Sequence, residues 1–251
     1  LCVHLARIYQ RGFQVDMDAL MEVRDEFEQE RNVLTFALEE QASDLMGDRT
    51  INLNSPEQLS WVIYSRKPHD KKLWADLFDE RMADAEYKRN VNAYSQKLYK
   101  QKAHQCRTCN GSGQVWKQKK DGTQYARSNR CNSCGGVGYI FSDNLSSVAG
   151  LKFTPPNAKW ISANGFGTGK DNLVFLEGIA RSKGMREAEL FLQNVRRLSA
   201  VETYLSSFVE GISTHVKTDG RLHVRLLQHR TGTGRLSGAD PNMQNMPRGG
   251  T

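Results

Sequence analysis

Two stretches of this 251-residue chain hold side chains whose types and spacing suit them to chemistry. The first is a pair of cysteine repeats, Cys106-Arg-Thr-Cys109-Asn-Gly-Ser-Gly113 and Cys131-Asn-Ser-Cys134-Gly-Gly-Val-Gly138, copies of C-x-x-C-x-G-x-G on either side of a basic loop. Each C-x-x-C can offer two thiolates to one ion, so Cys106, Cys109, Cys131 and Cys134 predict a tetrahedral zinc site with Zn–S distances of about 2.3 Å. Four protein ligands leave no open position, which makes the zinc structural rather than catalytic. The glycines let the backbone turn tightly and bring N–H groups toward the thiolates. A c-type haem is excluded, because Asn110 and Gly135 stand where a histidine is needed. His104 is the one nearby rival ligand, and a closed four-cysteine site leaves it unused. The fifth cysteine, Cys2, reads as a packed or idle thiol in a predicted helix.

The second stretch is Thr233-Gly-Arg-Leu-Ser237 with Pro241-Asn-Met-Gln-Asn-Met-Pro247. With one arginine, two asparagines, a glutamine and bracketing prolines it cannot bury an apolar face. Arg235, Asn242, Gln244 and Asn245 are hydrogen-bond donors suited to the floor of a DNA minor groove, where every base pair presents acceptors in nearly the same places. A mispair moves those acceptors and loses the bonds. The same composition also suits an ordinary surface loop.

Composition bounds the rest. Hydrophobic residues make up 38% of the chain, enough for a core, and the mean hydropathy is −0.62. No apolar run approaches a membrane span, and Leu1-Cys-Val-His4 lacks the sections of a signal peptide, so an intracellular protein, in the bacterial cytoplasm, is expected. The absence of Met at residue 1 suggests a fragment. The net charge of +7 is uneven: residues 1–90 carry 12 basic and 18 acidic side chains (−6), residues 91–130 carry 9 and 1 (+8), and residues 131–251 carry 14 and 9 (+5). A polyanion would therefore meet the middle and the end of the chain.

The elements that must position these groups are mostly helical. Residues 1–11 form a short helix closed by Gly12, and Leu20, Val23, Phe27, Leu34, Leu38 and Leu45 mark a long amphipathic helix from Asp16 to Gly47. Ser55 as N-cap, Pro56 at the first helical position and Gln58 complete a capping box, opening a helix through about Arg66. Residues 70–103 read as helical, with Trp74, Phe78, Tyr87 and Tyr94 as core, and residues 150–169 as a linker. Helices follow over Asp171–Ser182, with Thr168 as cap, and Met185–Gly211, the latter burying Leu190, Leu198, Val201, Leu205 and Phe208 antiparallel to the first long helix. Thr214–His229 reads as a β-hairpin turning at Thr218-Asp-Gly220. Gly165-Phe-Gly-Thr-Gly-Lys170 fails as a phosphate loop, with Asn164 at the first glycine place and Asp171 after the lysine. The predicted class is mainly α with a small β portion, α+β.

Thr231-Gly-Thr-Gly-Arg-Leu-Ser-Gly-Ala-Asp-Pro-Asn-Met-Gln-Asn-Met-Pro247 closely resembles the family A DNA polymerase (DNA polymerase I family) segment T-x-T-G-R-L-S-S-x-x-P-N-L-Q-N-I-P, with Gly238, Met243 and Met246 as departures. Gly12-Phe-Gln-Val-Asp16 resembles the start of the family's thumb helix, Asn52-Leu-Asn-Ser55 and Gln58-Leu59 its N-x-x-S-x-x-Q-L thumb motif, and Asp219-Gly-Arg-Leu-His223 its palm-entry hairpin. The resemblance implies an N-terminal and thumb portion (1–66), an inserted helical and zinc-knuckle module (67–165, zinc site 104–140), returning thumb helices (166–212) and the start of a palm (213–251). It implies contacts to primer-template duplex DNA through Arg235, Asn242, Gln244 and Asn245, with Asn52 and Ser55 on the duplex backbone. Two Mg²⁺ ions and dNTP substrates are then expected on residues outside this chain, leaving the fragment inactive alone. One departure concerns the long second helix, where the family's Arg and Lys are replaced by Val195 and Ser199, beside Arg196 and Arg197.

The cysteine repeats resemble half of the zinc domain of DnaJ-type chaperones, which implies a borrowed knuckle pair. The loop Lys117-Gln-Lys-Lys120 with Arg127 and Arg130 is placed to meet DNA or a processivity or replisome partner. The long insertion suits a phage gene. A non-catalytic, zinc-containing DNA-binding accessory protein and, more weakly, a chaperone-like peptide binder are the alternatives.

Overall fold

The computed structural model describes residues 2–69, 89, 92, 95–162, 165–228, 232 and 235–239. In chain order the elements begin with α1 (Cys2–Arg11), β1 (Phe13–Gln14), α2 (Met17–Met46), α3 (Pro56–Tyr64), β2 (Arg66–Pro68), β3 (Ser95–Lys97) and β4 (Tyr99–Gln105). They continue with β5 (Gln114–Val115), β6 (Asn129–Arg130), β7 (Tyr139–Val148), a 3₁₀ turn (Ala158–Trp160), β8 (Ile161–Ser162) and β9 (Gly165–Phe166). Last come α4 (Lys170–Ser182), α5 (Arg186–Thr203), a π-helical segment (Tyr204–Val209), α6 (Glu210–His215), β10 (Arg221–Leu222), β11 (Arg225–Leu227) and β12 (Ser237–Ala239). The class is α+β, with six two-stranded antiparallel pairings among the described residues where one hairpin was expected. Among the described residues no helix is long and apolar enough to cross a membrane. The chain divides into two compact units, residues 1–36 with 194–251, and residues 37–193.

In the first unit, Gly12 closes α1 in the left-handed region (φ +63°) and the Asp16 carboxylate caps α2 by accepting from the Ala19 N–H at 3.0 Å. Within this unit α2 and the later helical run are antiparallel: Arg197 donates twice to Glu30, at 2.6 and 2.8 Å, and the Phe27 and Tyr204 rings lie 5.4 Å apart. The hydrogen bond from Arg197 holds the Glu30 carboxyl below its usual range. Both side chains are more than a third exposed, so the pair contributes at most about 1 kcal/mol.

The later run extends beyond Gly211 to His215 by passing through a π-helical segment. Each π turn holds an extra residue, so one apolar stripe cannot continue straight through it. The buried residues of α5 include Phe191, Val195, Leu198 and Val201, whereas Leu190, expected among them, is 48% exposed.

The hairpin expected over Thr214–His229 is narrower. Its turn is where predicted, with Lys217 N–H donating to the Arg221 carbonyl at 2.9 Å and Val216 bridging Leu222, but Thr214 and His215 belong to α6. Beyond it the chain changes partners: β10 pairs with β1, and β11 with β12. Burial of Leu222 and Val224 with Ile212, against Val15 and Leu20, determines this exchange.

The second unit is organised on α3. Ser55 caps it, its hydroxyl accepting from Gln58 N–H at 3.5 Å. The return arm of the predicted capping box is displaced, because the Gln58 side chain accepts from Asn52 N–H (2.7 Å) while Ser55 N–H bonds to the Asn52 carbonyl (3.1 Å). The helix ends at Tyr64 and not at Arg66, because Ser65 turns left-handed (φ 57°) and Arg66–Pro68 pairs with Ser95–Lys97.

Residues 95–105 are strands and not the predicted helix. Tyr99–Gln105 is polar and has no apolar stripe to dock as a helix; its extended form is set by pairing with Tyr139–Val148, some forty residues on. Trp74, Phe78, Tyr87 and Tyr94, expected as the core of that helix, lie outside the described residues.

Residues 150–169 are not a linker. Leu151, Phe153, Ile161 and Phe166 are buried, and their chain is laced onto α3: Leu151 N–H to the Val62 carbonyl (2.8 Å), Phe153 N–H to Ile63 (3.0 Å), Phe166 N–H to the Ser60 hydroxyl (3.1 Å). The Tyr64 hydroxyl donates to the Gly167 carbonyl at 2.7 Å. Pro and Gly here serve close backbone approach, which composition alone reads as loop. Likewise the N-cap of α4 is Gly169, without a side-chain bond, in place of Thr168.

Gly150, at φ +77°, illustrates how tight this lacing is, since a Cβ there would sit 2.4 Å from the Val62 carbonyl oxygen. Gly150→Ala is expected to cost about 2–4 kcal/mol in urea unfolding. Gly178→Ala, inside α4 with nothing within 4 Å, is expected to raise stability by about 0.5–1 kcal/mol.

Candidate functional site

β4 and β7 form a two-stranded stem that delivers the chain to Cys106 and takes it away after Gly138. At its end the two cysteine repeats fold as near copies. Cys106 N–H donates to the Gly138 carbonyl at 2.8 Å and Cys131 N–H to the Gly113 carbonyl at 2.9 Å, so each repeat is hydrogen-bonded to the other. Gly113 and Gly138 are left-handed (φ +71° and +86°) and a Cβ on either would lie 2.3 Å from the carbonyl oxygen of Gly136 or Gly111. The last glycine of each repeat is thus required by the backbone of the other.

This crossing brings the four sulfurs together. All lie within 4.8 Å of one another, with Cys106 Sγ 3.9 Å from Cys131 Sγ and Cys109 Sγ 3.7 Å from Cys134 Sγ. Sulfurs about 2.3 Å from a tetrahedral centre are about 3.8 Å apart, the spacing of these two cross-repeat pairs, so the donor set suits a metal ion. Gly113 N–H donates to Cys109 Sγ at 3.3 Å and Gly138 N–H to Cys134 Sγ at 3.2 Å, the backbone approach that the glycines predict. The thiols respond unequally. Burial pushes the Cys109 thiol up; at Cys134 burial acts the same way but is outweighed by the Gly138 N–H and the neighbouring sulfurs, which bring it down. His104 bonds to the Ser142 hydroxyl at 2.8 Å and takes no part.

Between the repeats, β5 and β6 continue into a hairpin tip. Gln118 bridges Gln124, Lys119 N–H donates to the Thr123 carbonyl at 2.7 Å, and the Asp121 carboxylate accepts from Thr123 N–H and hydroxyl across a turn containing Gly122 (φ +82°). Lys117, Lys119, Lys120 and Arg127 are exposed on it. Arg130 is exposed as well but is engaged at the base of the hairpin, where its Nε–H donates to the Gly135 carbonyl and its side chain lies on Gly136. Sequence reasoning passed over Trp116 and Tyr125, which are 44% and 51% exposed here. The signal was present as an Asp-Gly turn with aromatic residues at the flanks.

Of the residues expected to contact nucleic acid, Arg235 is exposed and lies two positions before β12, in the connection from β11. Asn242, Gln244 and Asn245 lie outside the described residues. Asn52 and Ser55 both serve the start of α3, Asn52 by accepting from Asn54 N–H at 3.0 Å and Ser55 as N-cap. On α5, Val195 is buried and Arg197 is held by Glu30. The Asp219–His223 segment closes on itself and on α1: His223 Nδ1 meets the Tyr9 carbonyl at 2.5 Å and Nε2 the Asp219 carboxylate at 3.1 Å. Both partners are acceptors, so the doubly protonated ring satisfies both. The Tyr9 carbonyl first, and Asp219 second, raise the His223 pKa.

No family model matches the chain. DNA polymerase I of Lactococcus lactis subsp. cremoris is 48% identical over 42 residues, 17% of this chain and 5% of that protein. Thermostable DNA polymerase I of Thermus aquaticus is 36% identical over 67 residues, 26% of this chain and 8% of that protein. The POL domain of Pol1 from M. smegmatis, solved in complex with DNA primer-template and dNTP, superposes with a TM-score of 0.48 at 20% identity, covering 98% of this chain and 26% of that one. Similarity to DNA polymerase I, the family that the motif wording resembles, is thus found by direct comparison. The matched stretches span less than a tenth of those curated relatives.

The sulfur cluster is expected to bind one metal ion per chain, with affinity falling on acidification as protons compete for the thiolates, measured by elemental analysis and metal titration. Chelation is expected to unfold residues 104–140 while the helical circular dichroism of the rest persists. His223 contributes stability that is full below pH about 6.5 and is lost as pH rises through its raised folded-state pKa. His223→Gln is expected to remove that part of the pH dependence in thermal unfolding.

Proposed function

We propose that this chain is the duplex-gripping portion of a family A DNA-directed DNA polymerase, the thumb and the entry to the palm. The observation that carries the reading is the segment Thr231–Pro247, whose wording matches the family's duplex-contact motif at eleven of its fourteen defined positions. The matches to DNA polymerase I support it. In this reading Arg235, Asn242, Gln244 and Asn245 donate to minor-groove acceptors of the primer-template duplex, and Arg235 sits at the primer-terminal base pair. Asn52 and Ser55 meet the duplex backbone from the start of α3, using groups not consumed in capping. The assembled enzyme takes dNTPs and two Mg²⁺ ions, the metals held by aspartates outside these residues, and works inside the bacterial cell.

Residues 1–66 and 166–212 are assigned to the thumb, 213–251 to the palm, and 67–165 to an insertion. The metal in that insertion is zinc: four thiolates at tetrahedral spacing, with backbone N–H groups on the sulfurs, favour a soft ion held for structure. All four positions are taken by protein, so it supplies no catalysis. A non-catalytic accessory protein would keep the duplex grip and extend no primer.

Arg235→Ala is expected to weaken binding of a primed template about tenfold or more, corresponding to the roughly 1–3 kcal/mol of a good base-edge contact, with an unchanged circular dichroism spectrum. In the enzyme carrying this chain, it is expected to slow extension and to lower discrimination against a mismatched primer end. Unchanged binding and extension would remove the role assigned to Arg235.

A further inference from the structure

We infer that the hairpin tip between the two cysteine repeats is a binding site for single-stranded DNA, in which Tyr125 stacks on a base and Lys117 and Lys119 neutralise the flanking phosphates. The inference goes beyond the duplex grip and rests on different residues.

Pairing fixes which side chains share a face. With Gln118 opposite Gln124, the neighbouring pairs are Lys117 with Tyr125 and Lys119 with Thr123, all on the other face of the hairpin. That face therefore presents Tyr125 opposite Lys117 and diagonal to Lys119, whose ammonium lies 5.7 Å from the centre of the Tyr125 ring. Half of Tyr125 is exposed, and among the described residues of the tip Asp121 is the one carboxylate against Lys117, Lys119, Lys120 and Arg127. Asp121 is itself occupied in holding the turn.

A half-exposed aromatic ring with two lysines on the same face suits a flexible strand with unstacked bases and closely spaced phosphates. A duplex keeps its bases stacked and offers the ring nothing. An acidic peptide would use the lysines but leave the tyrosine face without a matching plane. The paired cysteine repeats at the base of the hairpin, and the β4–β7 stem beyond them, hold this surface in place, so little ordering is needed on binding.

The test is fluorescence anisotropy with labelled oligo-dT of about twelve nucleotides, which has no primer end and so leaves the duplex grip out of the measurement. Tyr125→Ala in the metal-loaded chain is expected to weaken binding about tenfold, and Tyr125→Phe to retain it. Lys117→Gln with Lys119→Gln is expected to lower the slope of log affinity against log salt by about 1.4, at about 0.7 for each phosphate released. Leu145→Ser, on the stem and 74% exposed, serves as the control and is expected to bind as the parent does. Equal oligo-dT affinity of the parent and Tyr125→Ala, with metal content unchanged, would overturn the inference. So would tight binding to blunt duplex that Tyr125→Ala reduces by the same factor as oligo-dT.

Discussion

Much of the second unit depends on a short run of backbone hydrogen bonds at the end of α3. The carbonyls of Val62 and Ile63 have no helical partners there, and Leu151 and Phe153 supply the missing N–H groups at 2.8 and 3.0 Å. The same helix end sends the chain out through Ser65 into β2 and takes it back at Gly150, whose N–H reaches the Leu45 carbonyl at 3.0 Å. Departure and return are thereby fixed within one tight cluster. The stem that leaves between them is tied back to the end of α2, with Asp48 N–H on the Gln101 carbonyl at 3.1 Å, beside the core built from Leu59, Val62, Ile63 and Tyr64.

The cysteine repeats solve a different problem, that of a small module with almost no apolar interior. Its buried residues are largely the cysteines themselves, with Val115 packed against them. Such a module cannot gain enough from apolar burial to offset its ordering entropy, and a metal is the usual remedy. The backbone prepares the site by making each repeat bond to the other through a terminal glycine. Two copies are needed for this, since one alone would have neither the second pair of thiolates nor the carbonyl that orders the first.

Charge and chemistry are distributed along the chain in a way that agrees with this division. The acidic first part builds helices and supplies Glu30 to Arg197, whereas the cationic middle is concentrated on an exposed hairpin. Arg235 occupies the connection between two short strands of the other unit. The cysteine cluster, the hairpin surface and Arg235 are thus carried by separate local elements.

That the four cysteines would gather was legible in the sequence, because two C-x-x-C repeats of one wording can each offer a pair of sulfurs to a common centre, and the four sulfurs do lie within 4.8 Å of one another. The glycine stops and the Ser55 cap were nearly as legible, since Gly12, Gly47 and Ser55 act through bonds that span only a few residues, although the cap expected at Thr168 falls on Gly169. What only the tertiary structure decided was conformation set by distant partners. Tyr99–Gln105 is a strand because Tyr139–Val148 lies beside it, and Leu151, Phe153 and Phe166 are buried where their N–H groups meet acceptors on α3. Local spacing carries no record of a partner some forty residues or more away, so those choices had to wait for the packed chain.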